Sequence, residues 1–184
     1  MQQALVLASV VLGVAIAFEL EHLNQVLRSK NVRWHWAQPI FAFLVLILIV
    51  SFWWAIARAP SGSITIAQFL PTLFQLIVLA LLAAASFPDK VPEEGLDLAD
   101  YYQSSRKYQW FLFALFIWIA NARWFYGAWN PEISLGRYLL TIATDATIGL
   151  LIIGMMFARS WWLVGIGLGG LTLAFSVLLT RTIG

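Results

Sequence analysis

Residues 39–57 read PIFAFLVLILIVSFWWAIA, from Pro39 to Ala57, with no charged side chain and a single hydroxyl at Ser51. A helix crossing the hydrocarbon core of a bilayer needs about 20 mostly apolar residues. The run is continuous rather than alternating, and too long for a barrel strand. Inside lipid each backbone group must find its partner within the segment, so such a run is a helix. Five further segments pass the same test, some only with their flanks: Ala4–Leu20, Ile64–Phe87, Gln109–Tyr126, Tyr138–Phe157 and Trp161–Leu179. The expected fold is therefore all-α, a polytopic membrane protein built as a bundle of six transmembrane helices in one domain spanning residues 1–184.

Composition agrees. Of 184 residues 61% are hydrophobic and only 11% charged, with a mean hydropathy of +0.83. A soluble domain is about 45–50% apolar and about 25% charged, so an ordinary soluble enzyme and a nucleic-acid-binding domain are both excluded. The partner implied is the lipid bilayer, not nucleic acid. With no cysteine, disulfides, thiolate metal sites and cysteine nucleophiles are absent. The N-terminal apolar run lacks a positive n-region, so no cleavable signal peptide is expected.

Lysine and arginine bias sets orientation. Loops one, three and five carry Arg28, Lys30, Arg33, Lys90, Arg106, Lys107 and Arg159, seven in all, against four on the other side: Arg58, Arg123, Arg137 and Arg181. This places those loops in the cytoplasm and both termini outside. Trp34, Trp36, Trp110, Trp161 and Trp162 mark one interface, and Trp53, Trp54, Trp124 and Trp129 the other. Short connections after spans two (60–63) and five (Arg159-Ser160) imply antiparallel neighbours. In the third loop, Phe87-Pro88-Asp89 ends span three, since proline cannot continue the helix ladder. Asp97 is placed to cap an interfacial helix that carries Asp100 in its first turn and runs into span four.

Polar residues at membrane depth are costly and therefore informative. Span three carries Thr65, Gln68, Thr72 and Gln75 on one helical face, around Pro71. Span five carries Thr141, Thr144, Asp145 and Thr147; span four carries Asn121 and Arg123 near its outer end. At 1.5 Å per residue, Gln75 lies roughly 16 Å and Asp145 roughly 10 Å from the start of their spans, in the same half of the bilayer. Two readings follow. Gln68, Thr72, Gln75, Asn121, Arg123, Thr141, Thr144 and Asp145 line a polar pocket or ion pathway open to the outer side, or they are interhelical hydrogen-bond glue, with Asp145 paired to Arg123 or Arg137.

A second cluster, Glu19, Glu21 and His22, lies at the inner end of span one, with His35 across the loop. Carboxylate and imidazole suit a divalent metal, and two histidines suit a haem. The plainer reading is polar residues at the headgroup level, with Glu19 paired to Arg28 or Lys30, and no metal or cofactor is expected. Gly165 and Gly169 in span six form a small-xxx-small step, which serves internal packing or self-association.

Two stretches carry a resemblance. One is Val32-Arg33-Trp34-His35-Trp36 with Phe52-Trp53-Trp54. The other is Phe87-Pro88-Asp89, Gly95-Leu96-Asp97-Leu98, Tyr101-Tyr102 and Lys107-Tyr108-Gln109-Trp110. Together they resemble a group of small, uncharacterised bacterial integral membrane proteins. The resemblance implies a multi-pass protein of the bacterial inner membrane and supplies no activity or site residue. The expected function is channel- or transporter-like, non-enzymatic, acting on an ion or small solute as a homo-oligomer. The alternatives are an accessory or sensor module of the membrane and a metal- or haem-bearing membrane enzyme.

Overall fold

A computed structural model of the chain describes residues 2–58, 65–129 and 134–179. The chain is all-α, with six helices: α1 (Gln2–Arg28), α2 (Ala37–Ala57), α3 (Ile66–Ala85), α4 (Leu98–Ala128), α5 (Leu135–Met155) and α6 (Trp161–Leu179). Five of these, α1 to α5, are long and apolar enough to cross a membrane, and α6 is apolar over Trp161–Phe175. The expected connection at 60–63, the start of span three at Ile64 and the cation Arg181 lie outside the described residues.

Sequence neighbours pack closely in α3–α4 and α4–α5, but α1 and α2 find their main partners elsewhere along the chain. α3 lies between α1 and α4, α2 packs mainly on α6 and α1, and α5 lies along α4. The shared core is apolar, with Phe41, Leu44, Leu76, Leu79, Leu82, Trp110 and Phe113 fully buried. Trp110 is therefore a core residue rather than part of an interfacial belt. Its indole N–H donates to the buried Tyr102 hydroxyl at 3.0 Å, which satisfies both polar ends inside the bundle. Trp34, Trp36 and Trp162 at that end of the molecule are exposed, as are Trp53, Trp124 and Trp129 at the other.

Two helices run further than the apolar pattern alone indicates. α1 continues past Leu20 to Arg28, because residues 21–28 contain no helix breaker and Leu23 and Val26, one turn apart, pack into a second small core with Ala42, Phe87 and Leu98. α4 begins at Leu98, where Asp97 Oδ1 accepts from the Ala99 N–H at 2.8 Å, and runs unbroken into the apolar span. Tyr102 is buried on this helix while Tyr108 is exposed, since six residues at about 3.6 per turn carry the chain well off the starting face.

Loops one and three are clamped together. Two-residue strands, β1 (Val32–Arg33) and β2 (Leu96–Asp97), pair in parallel with Val32 opposite Leu96 and Arg33 opposite Asp97. The Arg33 guanidinium lies 3.3 Å from Asp97 Oδ2. Gly95 enters this pair at φ +107°, where a Cβ would stand 2.9 Å from the Asn31 carbonyl oxygen. Only glycine fits such a site without strain.

Candidate functional site

The polar residues near the α3 N-terminus, α5 and the end of α4 are dispersed. Gln68 is exposed and turned back on its own helix. Its Oε1 accepts from the Thr65 N–H at 3.0 Å while Thr65 Oγ1 accepts from the Gln68 N–H at 3.3 Å, a reciprocal cap of the α3 N-terminus. Thr72 accepts from Arg123 Nη1 at 3.1 Å. Gln75, buried, donates a long 3.5 Å bond to the Phe116 carbonyl. Asn121 donates to the backbone carbonyl of Asp145 at 3.1 Å. Thr141 bonds back to the Arg137 carbonyl at 2.9 Å, and Thr144 is exposed. The Asp145 side chain is half-buried and makes no ion pair with a described residue. The structure thus joins Thr72 to Arg123 and Asn121 to the Asp145 backbone. It draws neither Gln68 nor Gln75 to the Asp145 carboxylate.

The opposite end of the bundle differs. α3 stops at Ser86 ahead of Pro88, and its last carbonyls have no partner within the helix. Side chains from two other helices supply donors. Gln109 Nε2 on α4 donates to the Ala85 carbonyl at 2.8 Å, and the Tyr101 hydroxyl donates to the same oxygen at 3.1 Å. Gln38 Nε2, in the first turn of α2, donates to the Ser86 carbonyl. Each carbonyl partner can only accept, which fixes both amides with nitrogen toward α3 and oxygen turned away. Gln38 Oε1 and Gln109 Oε1 are buried without a hydrogen-bond partner.

Glu19 of α1 reaches the same place. It is 1% exposed and lies against the Ser86 side chain. The Ser86 hydroxyl, however, donates to the Leu82 carbonyl at 3.1 Å, and both Glu19 oxygens are without a partner among the described residues. Arg28 and Lys30 form no ion pair with it. Buried Arg106 is occupied elsewhere, on the Met156 carbonyl at 3.1 Å and on Gln103. One helical turn beyond Glu19, His22 places Nε2 3.6 Å from Oδ1 of the exposed Asp89, while its Nδ1 is buried and unpartnered.

The chemistry of this cluster is one-sided. Glu19, Gln38 and Gln109 present unsatisfied oxygen acceptors, and the α3 C-terminus adds the negative end of a helix dipole. A buried acceptor without a donor costs about 1–3 kcal/mol, and more if charged. A proton on Glu19 would relieve its uncompensated buried charge. His35 takes no part in it. Its ring lies tilted by 44° against Trp161 with centroids 4.0 Å apart, and its Nδ1 accepts from the Ala37 N–H at 3.4 Å. Among the described residues no group of three or more histidine, aspartate and glutamate side chains gathers as a metal centre.

Sequence reasoning passed over Gln38, Ser86, Asp89 and Gln109. Gln38 and Gln109 stand at span boundaries, where an amide is unremarkable. The available signal was that each adjoins a span-edge Pro39 or Trp110; that both meet the open carbonyls at the end of α3 is set by the tertiary fold. No protein family matches the chain, and neither curated proteins nor solved structures give a match.

Proposed function

We propose that the chain is a six-span, multi-pass protein of the bacterial inner membrane that moves a small cation in a transporter-like cycle, with Glu19 as the binding carboxylate. The membrane reading is supported by large apolar side chains exposed around the bundle, among them Ile66, Leu140, Leu150, Phe157 and Leu173. Water would make such a surface unstable, and hydrocarbon suits it. Both termini face outward in this reading, and no bond-making chemistry is assigned to the site.

The observation that carries the functional reading is the buried Glu19 carboxyl with no partner. An ionisable group in a membrane span is a functional-site hypothesis by default, because it is otherwise costly. Transporter-like is favoured over an open channel by the layer between the two polar ends. From Ser86 back to Gln75 along α3, Leu76, Leu79, Leu82 and Ala83 are all fully buried apolar residues. Over the ten residues between them, with Gln75 and Ser86 roughly 16 Å apart along the helix, α3 offers no polar side chain, so access would alternate between the ends. The outer residues Gln75, Asn121, Arg123, Thr72 and Asp145 then belong to the opposite mouth. Association of copies is also part of this proposal. Gly165 and Gly167 are used internally, against Trp36 and Met155, whereas Gly169 and Gly170 face open space.

The test is cation flux in proteoliposomes, with protons, sodium and potassium offered separately. Flux of one of them that is lost in Glu19→Gln supports the proposal. A folded protein that passes none of them contradicts transport, and favours the reading in which Glu19 serves a sensor or accessory module.

A further inference from the structure

Glu19 is sealed from solvent, so whatever reaches it needs a route, and the side chains at the loop-one and loop-three end supply a specific one. Resting on the transport reading above, we infer that the species bound at Glu19 is a proton, and that Asp89 and His22 deliver it.

The geometry is that of a relay across the protein boundary. Asp89 is 85% exposed, and with Tyr101, Ser105 and Ala85 it lines an open cavity of about 400 Å³. It is an acceptor in contact with bulk solvent. His22 stands behind it with one ring nitrogen on each side of the barrier: Nε2 toward Asp89 at 3.6 Å, Nδ1 buried and without a partner. His22 and Glu19 are three residues apart on α1, which puts both on one face of the helix. The buried nitrogen and the buried carboxyl thus share one face, and neither has a hydrogen-bond partner among the described residues.

Imidazole suits this position because it has two distinct nitrogens, each able to carry a proton. A proton held by Asp89 passes to Nε2, giving an imidazolium. The Nδ1 proton then passes to the Glu19 carboxylate, directly or across one water, leaving a neutral ring protonated at Nε2. The starting tautomer returns only by proton exchange, Nε2 losing its proton outward and Nδ1 gaining one from water. One proton has moved inward, the positive charge has moved with it, and no oxidant or co-reactant is needed. Among the described residues no lysine or arginine is ion-paired with Glu19, His22 or Asp89, and the buried Arg106 of α4 is held on Met156 and Gln103. α2 offers Gln38, and α3 offers Ser86. α4 offers Gln109 and Tyr101, whose hydroxyl is committed to the Ala85 carbonyl.

A metal cation would use the same carboxylate, so the test separates the two. Reconstituted protein is given a pH jump in sodium-free and potassium-free buffer, and the carboxylic-acid C=O stretch is followed by infrared spectroscopy. The band belonging to Glu19 is the one missing in Glu19→Gln. The relay predicts that this band grows as pH falls. Its rise should slow by about a hundredfold or more in His22→Ala, the low end of what a positioned proton-transfer group contributes. Free imidazole in the medium should restore the rate, which a merely structural histidine would not allow. Asp89→Asn should slow the rise in the same direction, and Glu21→Gln, on an exposed position, should leave it unchanged. A Glu19 band that does not respond to pH, or a His22→Ala protein as fast as the parent, or one slowed without imidazole rescue, overturns the relay. Sodium or potassium flux with no protonation of Glu19 overturns the relay and keeps the transport reading. Relay kinetics as expected with no flux of any cation keeps the relay and overturns transport.

Discussion

The bundle has two polar ends, and they are built on opposite terms. At the Asp145 end, hydrophilic side chains are numerous but open or internally satisfied: Gln68 caps its own helix, Arg123 serves Thr72, and Asn121 serves a backbone carbonyl. At the Glu19 end they are few and sealed, and several of their oxygens have no donor. The contrast shows that the number of polar residues along a span is a weak guide to a site. What matters is whether burial leaves a polar atom with nothing to do, because that is where the folded chain retains an unfavourable contact.

Substitutions sharpen the contrast by what they cost. The largest effect should come from Trp110→Ala, which empties a fully buried aromatic position and removes the donor to Tyr102. A buried aromatic-to-alanine change costs about 3–5 kcal/mol, so thermal unfolding in detergent should fall steeply or folded yield be lost. Gln38→Leu should follow. It keeps much of the volume but leaves the Ser86 carbonyl without its donor, a loss of about 1–3 kcal/mol. Gly95→Ala should cost about 1–2 kcal/mol from its left-handed backbone, with crowding against Asn31 in addition, and it would loosen the clamp between loops one and three. The smallest effect belongs to the other end. Asp145→Asn should change stability by less than about 0.5 kcal/mol, as substitutions away from buried networks do. A loss of about 3–5 kcal/mol there would instead mark half of a buried ion pair, and would erase the distinction between the two ends.

The fold was largely legible in the sequence because the signal is redundant. Each apolar run is long, carries at most one charged residue and is bounded by proline, tryptophan or charge, and the helices α2, α5 and α6 lie close to where those features put them. Asp97 announced its cap through residue type and position, whereas Thr65 and Gln68, read as part of the polar face of span three, form the cap of α3. The true length of α1 was not legible, because its last turns are held by Leu23 and Val26 packing on residues from α2 and from the loop after α3. Pairing was also hidden: that α1 packs on α3, and α2 on α6, depends on tertiary fit rather than on any run of residues. The same blindness affected the site. Helical spacing correctly put Thr72 and Gln75 on one face, but it carried no information on their partners. Glu19 looked like a headgroup residue, and only the meeting of Gln38, Ser86 and Gln109 from three other helices shows that it is enclosed.

The central claim is that Glu19, rather than Asp145, is the carboxylate on which this protein acts. One assay decides between them: proton uptake into proteoliposomes under an imposed gradient, run in parallel on the parent, Glu19→Gln and Asp145→Asn proteins at matched amounts of folded protein. The account predicts uptake that is abolished in Glu19→Gln and largely retained in Asp145→Asn. Uptake that survives in Glu19→Gln and disappears in Asp145→Asn would contradict it.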